Sequence, residues 1–240
     1  MIIRPHGSTR LLITQPDHAA LAGRIMESWT ADDFAASPRR ADILRAIAEH
    51  DNGWHDVDAA PLVDPATGNL LDFIHAPDDV RQAVWPRGVE RLAQTPYAAA
   101  LVAQHALEIY GRYRPEPLWQ PFFVGMEAAR ERHLRRASLS IDELQRDYLF
   151  VRAGDLISLT FCNGWRAEQT IGGRYRVRLE GDELLVVPDP FAGRIVPLEI
   201  AGVEMPRAAC STAAAAQETF QRARGVRLGG MLRGGGGKRA

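Results

Sequence analysis

The stretch AIAEHDNGW, residues 46–54, sets a histidine and an aspartate side by side at the end of an apolar helical pattern. On a helix, residues three, four and seven apart share a face. His50 therefore extends the face of Ile43 and Ile47, with Trp54 four residues on, and Asp51 extends that of Leu44 and Ala48. Both stand where the pattern asks for apolar side chains, and an unpaired buried carboxylate is expensive enough to pair, neutralise or bind a metal. The same anomaly recurs along the chain. His18 shares a face with Leu21, Ala22 and Ile25, His105 with Leu101, Val102 and Ile109, and Asp155 with Tyr148, Val151 and Leu159. These stripes carry no Lys or Arg, so the set reads as nitrogen and oxygen ligands for a cation. Imidazole with carboxylate suits a divalent transition metal (Fe, Mn, Co, Ni or Zn) better than calcium. Any one of these histidines alone is more simply a core residue satisfied by hydrogen bonds; recurrence on successive helices favours the metal.

Working outward, Thr14-Gln15-Pro16-Asp17 is a helix start, with a hydroxyl cap, an early proline and an acid, and predicts a helix to about Trp29. Ser37-Pro38 opens a second helix, which Asn52-Gly53 ends. Residues 54–94 carry Pro, Gly and Asp with weak periodicity and read as a long loop with short helical turns. Further helices are expected from Thr95 to about Arg112, from Leu118 to Arg136, and from the capping box at Ser140–Glu143 to Asn163-Gly164. The period then changes. Strands are expected at 175–179, 183–187, 195–200 and Val226–Leu232, with an Ala-rich helix at 211–223, and a small hairpin at Ile2–Ile3 and Leu11–Thr14. The expected architecture is mainly α: a helical metal-binding core over 1–164, a small C-terminal antiparallel β appendage over 165–232, and a disordered tail over 233–240.

Composition sets limits on function. The chain has 240 residues, 46% hydrophobic and 25% charged, with a net charge of −1, which gives no electrostatic reason to expect nucleic acid or an anionic membrane as partner. The two cysteines, Cys162 and Cys210, form no C-x-x-C pair, so neither a disulfide framework nor a thiolate zinc site is expected, and the cytoplasm is the default compartment. No apolar run is long enough for a membrane span. H-E-x-x-H, G-x-S-x-G and G-x-x-x-x-G-K-[ST] are all missing, which argues against a zincin, a serine-elbow hydrolase and a P-loop protein. The basic segment ARERHLRR, residues 129–136, reads as a solvated helix end.

The order His, His-Asp, then a distant Asp on successive helices resembles the HD-domain superfamily of metal-dependent phosphohydrolases. LLITQPDHAALA (11–22), AIAEHDNGW (46–54) and AGDLISL (153–159) also look like an uncharacterised bacterial family within that fold. The resemblance covers about residues 14–164. It implies an HD-domain-like helical bundle in which His18, His50, Asp51 and Asp155 hold one metal. Some HD proteins add two histidines that complete a dinuclear centre; His105 fits one, and His55, His75 and His133 compete for the other.

The expected activity is hydrolysis of a phosphate ester or related small molecule by a metal-activated water, with Asp51 and His105 as catalytic groups. Trp54, His55, His75 and Arg87, in or beside the long loop, are candidate substrate-binding residues under a lid, or else ordinary loop anchors. A dinuclear-iron oxygenase and a non-catalytic metal-containing binding module are the alternatives. The expected partner is a small-molecule substrate, with a homodimer through a β edge as a further option.

Overall fold

Helix starts at Thr14 and Ser140 organise a computed structural model that describes residues 1–208 and 212–236. A hairpin of β1 (Ile2–His6) and β2 (Thr9–Ile13) leads into α1 (Gln15–Glu27), where Thr14 Oγ1 accepts from the Asp17 amide at 3.1 Å. Helix α2 (Arg40–Ala48) follows, then two short strands, β3 (Leu62–Val63) and β4 (Leu70–Leu71). Next come α3 (Asp78–Arg91), α4 (Pro96–Ile109), α5 (Gln120–Ala137) and α6 (Ile141–Asn163). The capping box of α6 is complete: Ser140 Oγ accepts from the Glu143 amide at 3.2 Å, and Glu143 Oε2 accepts from the Ser140 amide at 2.9 Å. The chain finishes with β5 (Gln169–Ile171), β6 (Tyr175–Glu180), β7 (Glu183–Val187), β8 (Val196–Pro206), α7 (Ala213–Arg222) and β9 (Arg224–Gly234).

The mainly α bundle with a small antiparallel appendage is corrected here. Seven strands form one mixed sheet in the order β1-β2-β8-β9-β7-β6-β5, and β7 pairs with β9 in parallel. The N-terminal hairpin joins it through β2 and β8, with Leu12 opposite Val203. Strands β8 and β9 run 11 residues each, well beyond the expected spans. Local pattern shows a strand's two faces but not a partner at the far end of the chain. Of the expected tail, residues 233 and 234 belong to β9, and 237–240 lie outside the described residues. Cys210 and Ser211, the start of the expected Ala-rich helix, also lie outside them.

Helices α1 and α6 pack between the sheet and the other helices: α1 against β8, and α6 against β1, β5 and β6. β6 alternates buried and exposed residues, placing Tyr175, Val177 and Leu179 in the core, where Trp29 from just beyond α1 meets Tyr175 edge-on at 4.8 Å. Behind them α2, α4 and α6 pack together, and α3 and α5 cover α4. Among the described residues no helix is long and apolar enough to cross a membrane.

The expected long loop contains α3. Pro86 and Gly88 disguise it in sequence, yet its buried positions Arg81, Val84, Trp85, Gly88 and Val89 follow helical spacing. α2 also ends earlier than expected, at Ala48, so His50 and Asp51 sit in the turn that leads to a single 3₁₀ turn at Asn52–Trp54. Gly53 does not terminate a helix. A Cβ there would lie 1.9 Å from the Val84 carbonyl oxygen, so its bare backbone lets α3 press onto the His-Asp turn.

Candidate metal centre

Four segments converge on one buried cluster: α1 with His18, the turn after α2 with His50 and Asp51, α4 with His105, and α6 with Asp155. Each imidazole is anchored from behind. Ser158 Oγ donates to the His18 carbonyl at 2.7 Å and so accepts from His18 Nδ1 at 3.2 Å. His50 Nδ1 donates to the Ile47 carbonyl at 2.7 Å, and His105 Nδ1 lies 3.1 Å from the Tyr148 hydroxyl. The three Nε2 atoms therefore turn forward, toward the carboxylates. His18 Nε2 lies 2.8 Å from Asp51 Oδ2; His50 Nε2 lies 3.4 Å from the same oxygen and 3.3 Å from Asp155 Oδ1. His105 Nε2 is 3.7 Å from Asp155 Oδ2.

A nitrogen lone pair facing a carboxylate needs a cation between them. His50 Nε2 is buried without a hydrogen-bond partner. Burial alone would lower the His50 pKa, but the negative charges of Asp51 and Asp155 override it and raise it to about 9, so a proton can fill the cation's role. For His105 burial prevails and the pKa falls to about 4. Burial pushes Asp155 upward, yet the surrounding imidazoles hold it well below the usual carboxylate range. Two triads, His18–His50–Asp51 and His50–His105–Asp155, bring their ligand atoms within 4.8 Å of one another and could hold a metal ion. The donors are hard to borderline imidazoles and carboxylates with no thiolate among them, a set that suits a divalent transition metal. Backing each imidazole with a second hydrogen bond is how such ligands are oriented.

The cluster forms the floor of a cavity of about 230 Å³, reached by Asp51, His105 and Asp155. Trp54, Trp85 and Tyr110 wall it, Phe73, Ile74 and Ile109 stand around it, and Arg81 and Arg112 line it as well. Of the candidate substrate-binding residues, Trp54 is brought to the site. His55 is exposed beside Asp56, His75 is exposed and pairs with Asp72 at 2.7 Å, and Arg87 is exposed with Nε donating to the Ala83 carbonyl; none of the three lines this cavity. His133 is buried in α5 rather than solvated, and it belongs to neither triad.

Gln15 and Arg81 escaped the sequence reading. Gln15 donates through Nε2 to Asp51 Oδ2 at 3.3 Å, and its backbone amide donates to the buried Asp58, whose other oxygen pairs with the Met1 α-amino group at 2.7 Å. Gln15 stands three residues before His18, which is a one-turn neighbour on the same face. Arg81 stands four before Trp85, a relation visible only once α3 is read as a helix.

These features define an α+β protein with a buried His/Asp cluster, able to hold a metal ion, beneath an aromatic-walled cavity. The chain belongs to the family described as protein of unknown function (DUF3891), whose model matches residues 1–207. No curated protein and no solved structure matches it.

Proposed function

We propose that this chain is a metal-dependent hydrolase of a phosphate ester or related small molecule. In this reading His18, His50, Asp51 and Asp155 hold one ion, and His105 ligates a second or faces the substrate. His50 carries the reading: with its Nδ1 proton committed to the Ile47 carbonyl, Nε2 has only carboxylate oxygens ahead of it. A neutral core histidine kept for packing would meet a donor there instead, because its Nε2 lone pair cannot bond to an acceptor. The ligand order along the chain, the part of the HD-domain resemblance that concerns side chains, also supports it.

A bound Fe, Mn, Co, Ni or Zn ion would supply Lewis acidity, acidifying a water and polarising a phosphoryl oxygen. The chain's residues do the rest. Asp51 lines the cavity, with Oδ2 directed at His18, His50 and Gln15, and its second oxygen would orient the attacking water by accepting a hydrogen bond from it. His105, neutral at physiological pH, meets the substrate as a ligand or hydrogen-bonding imidazole rather than a cation. Trp54, Trp85 and Tyr110 keep bulk water from the reacting centre.

Protein purified without oxygen or chelators should carry metal and release p-nitrophenol from p-nitrophenyl phosphate, and Asp51→Ala should lose both. Turnover retained with no metal bound overturns the reading. Asp155 turns Oδ1 toward His50 Nε2 at 3.3 Å and Oδ2 toward His105 Nε2 at 3.7 Å, so its carboxylate could serve two ions, which favours the dinuclear-iron oxygenase as the other reading; two irons per chain with dioxygen uptake would put it first.

A further inference from the structure

Besides the carboxylates of Asp51 and Asp155, the same cavity is lined by charge of the opposite sign. Arg81 of α3 and Arg112, just beyond α4, both line it. Both donate to one oxygen, the Tyr113 hydroxyl, Arg81 Nη1 at 2.9 Å and Arg112 Nη2 at 2.8 Å. Among the described residues Asp78 is the one carboxylate in ion-pair contact with either guanidinium, and it serves Arg81. The Arg81–Arg112–Asp78 group therefore keeps a net positive charge.

Part of its hydrogen-bonding capacity is also unspent, and what remains is donor capacity. Arg81 is 9% exposed, its guanidinium lies over the rings of Tyr113 and Trp119 at 5.1 and 5.4 Å, and its buried Nε has no partner. The Tyr113 oxygen accepts from two cations, which leaves its own proton to donate. Two guanidiniums converging on a phenol oxygen hold that hydroxyl below its usual pKa, the Arg81 hydrogen bond first. Donors with no acceptor and a cation in excess suit an oxyanion, and a guanidinium meets a carboxylate or phosphate through paired N–H groups.

We propose that the ligand of this cavity is two-ended: one end reaches the metal centre, and a second oxyanion, a carboxylate or a phosphate, is held by Arg81 and Arg112, which the Tyr113 hydroxyl joins and positions. The inference rests on the metal-dependent reading for the first end only. Trp85, 5.7 Å from the His105 ring, and Tyr110, 6.1 Å from Trp85 and 5.9 Å from the Arg81 guanidinium, connect the ends and fit a flat or aliphatic body. A volume of about 230 Å³ is below the roughly 300–1,000 Å³ of drug-sized sites, so the ligand is compact. The distal anion is a specificity element: it fixes the ligand's orientation without touching the bond that reacts.

Calorimetric titration of the metal-loaded full chain with phenylphosphonate and 4-phosphonobenzoate tests this. The two probes share the metal-seeking phosphonate and the ring, and differ by the distal carboxylate. The carboxylate should tighten binding by at least about tenfold, as charge-assisted hydrogen bonds do. In Arg112→Gln, an exposed position where folding is not at stake, and in Tyr113→Phe, the ratio of the two affinities should fall toward one. Equal affinities in the wild type, or an undiminished ratio in both variants, overturns the distal-anion site. Benzoate titrated into the metal-free chain separates the two ideas. Benzoate binding that Arg112→Gln abolishes supports the distal site even where phenylphosphonate fails to bind, a result that overturns the hydrolase reading alone. Failure of all three probes overturns both.

Discussion

Gly53→Ala should damage this protein more than its size suggests. The added Cβ would stand 1.9 Å from the Val84 carbonyl oxygen, 2.8 Å from the carbonyl carbon and 3.0 Å from the Gly88 amide nitrogen. A carbon meets an oxygen comfortably at about 3.3 Å, so α3 would have to retreat by about 1.4 Å or the His-Asp turn would have to twist. Backbone strain is not the issue, because Gly53 is not among the residues with positive φ. On conformational entropy alone Gly→Ala would stabilise by about 0.4–1 kcal/mol. The steric term wins, because the opposing atoms are backbone and cannot rotate away; overpacking of this kind costs about 1–3 kcal/mol. The companion Gly88→Ala places its Cβ 2.9 Å from Asn52 Oδ1, a side-chain tip that can swing aside, and should cost less. Urea unfolding with the metal ion present measures both. Because α3 carries Arg81 and Trp85, the Gly53 variant should also bind 4-phosphonobenzoate more weakly. A Gly53→Ala protein as stable as the wild type, or more stable than Gly88→Ala, would refute the reasoning.

Two more outcomes follow from the imidazoles. In the metal-free chain the folded-state pKa of His50 is raised from 6.5 to about 9, so its contribution is complete below pH 6.5 and is lost as the pH rises through 9; the loss is of the order of 3 kcal/mol. His105 is lowered from 6.5 to about 4, so its unfolded form gains protons first and stability falls from pH 6.5 toward 4. Stability of the chelated protein should therefore peak near pH 6.5, and bound metal should remove the alkaline loss; urea midpoints that stay flat from pH 6.5 to 9 would contradict this. Ser158→Ala frees the His18 ring from its rear anchor and should weaken metal affinity about 10–100-fold with little loss of helix, as read by competition with a chelating dye.

The metal-site candidates were legible because helical spacing is short-range. His18, His105 and Asp155 each announce a buried face through neighbours one turn away, and the structure brings the expected set together. His50 and Asp51 reach the same place by a different route, from a turn rather than a helix, since the chain bends after Ala48. The distal cations were not legible. Arg81 and Gly88 belong to the buried stripe of α3 but count as polar and neutral in any apolar pattern, and Pro86 imitates a break. The exposed Arg87 then stands in sequence where a pocket charge was sought, six residues from the one that lines it. The sheet was hidden for a different reason. Register between Leu12 and Val203 depends on pairing across nearly the whole chain, and no window of neighbouring residues contains it.

The strand outside the family match has a consequence for the rest of the sheet. β9 begins after residue 207, yet it lies between β8 and β7, bonded to both. A chain cut at 207 would keep β1, β2 and β8 on one side and β5, β6 and β7 on the other, with no strand pairing between them. Four raw edges would replace two, each a template for another molecule. The His/Asp cluster would be untouched in sequence, but α1 packs on β8 and α6 on β1, β5 and β6, so its supports would rest on two sheet halves held together by helix packing alone. The rigidity of the site is therefore set partly by residues that never come near it.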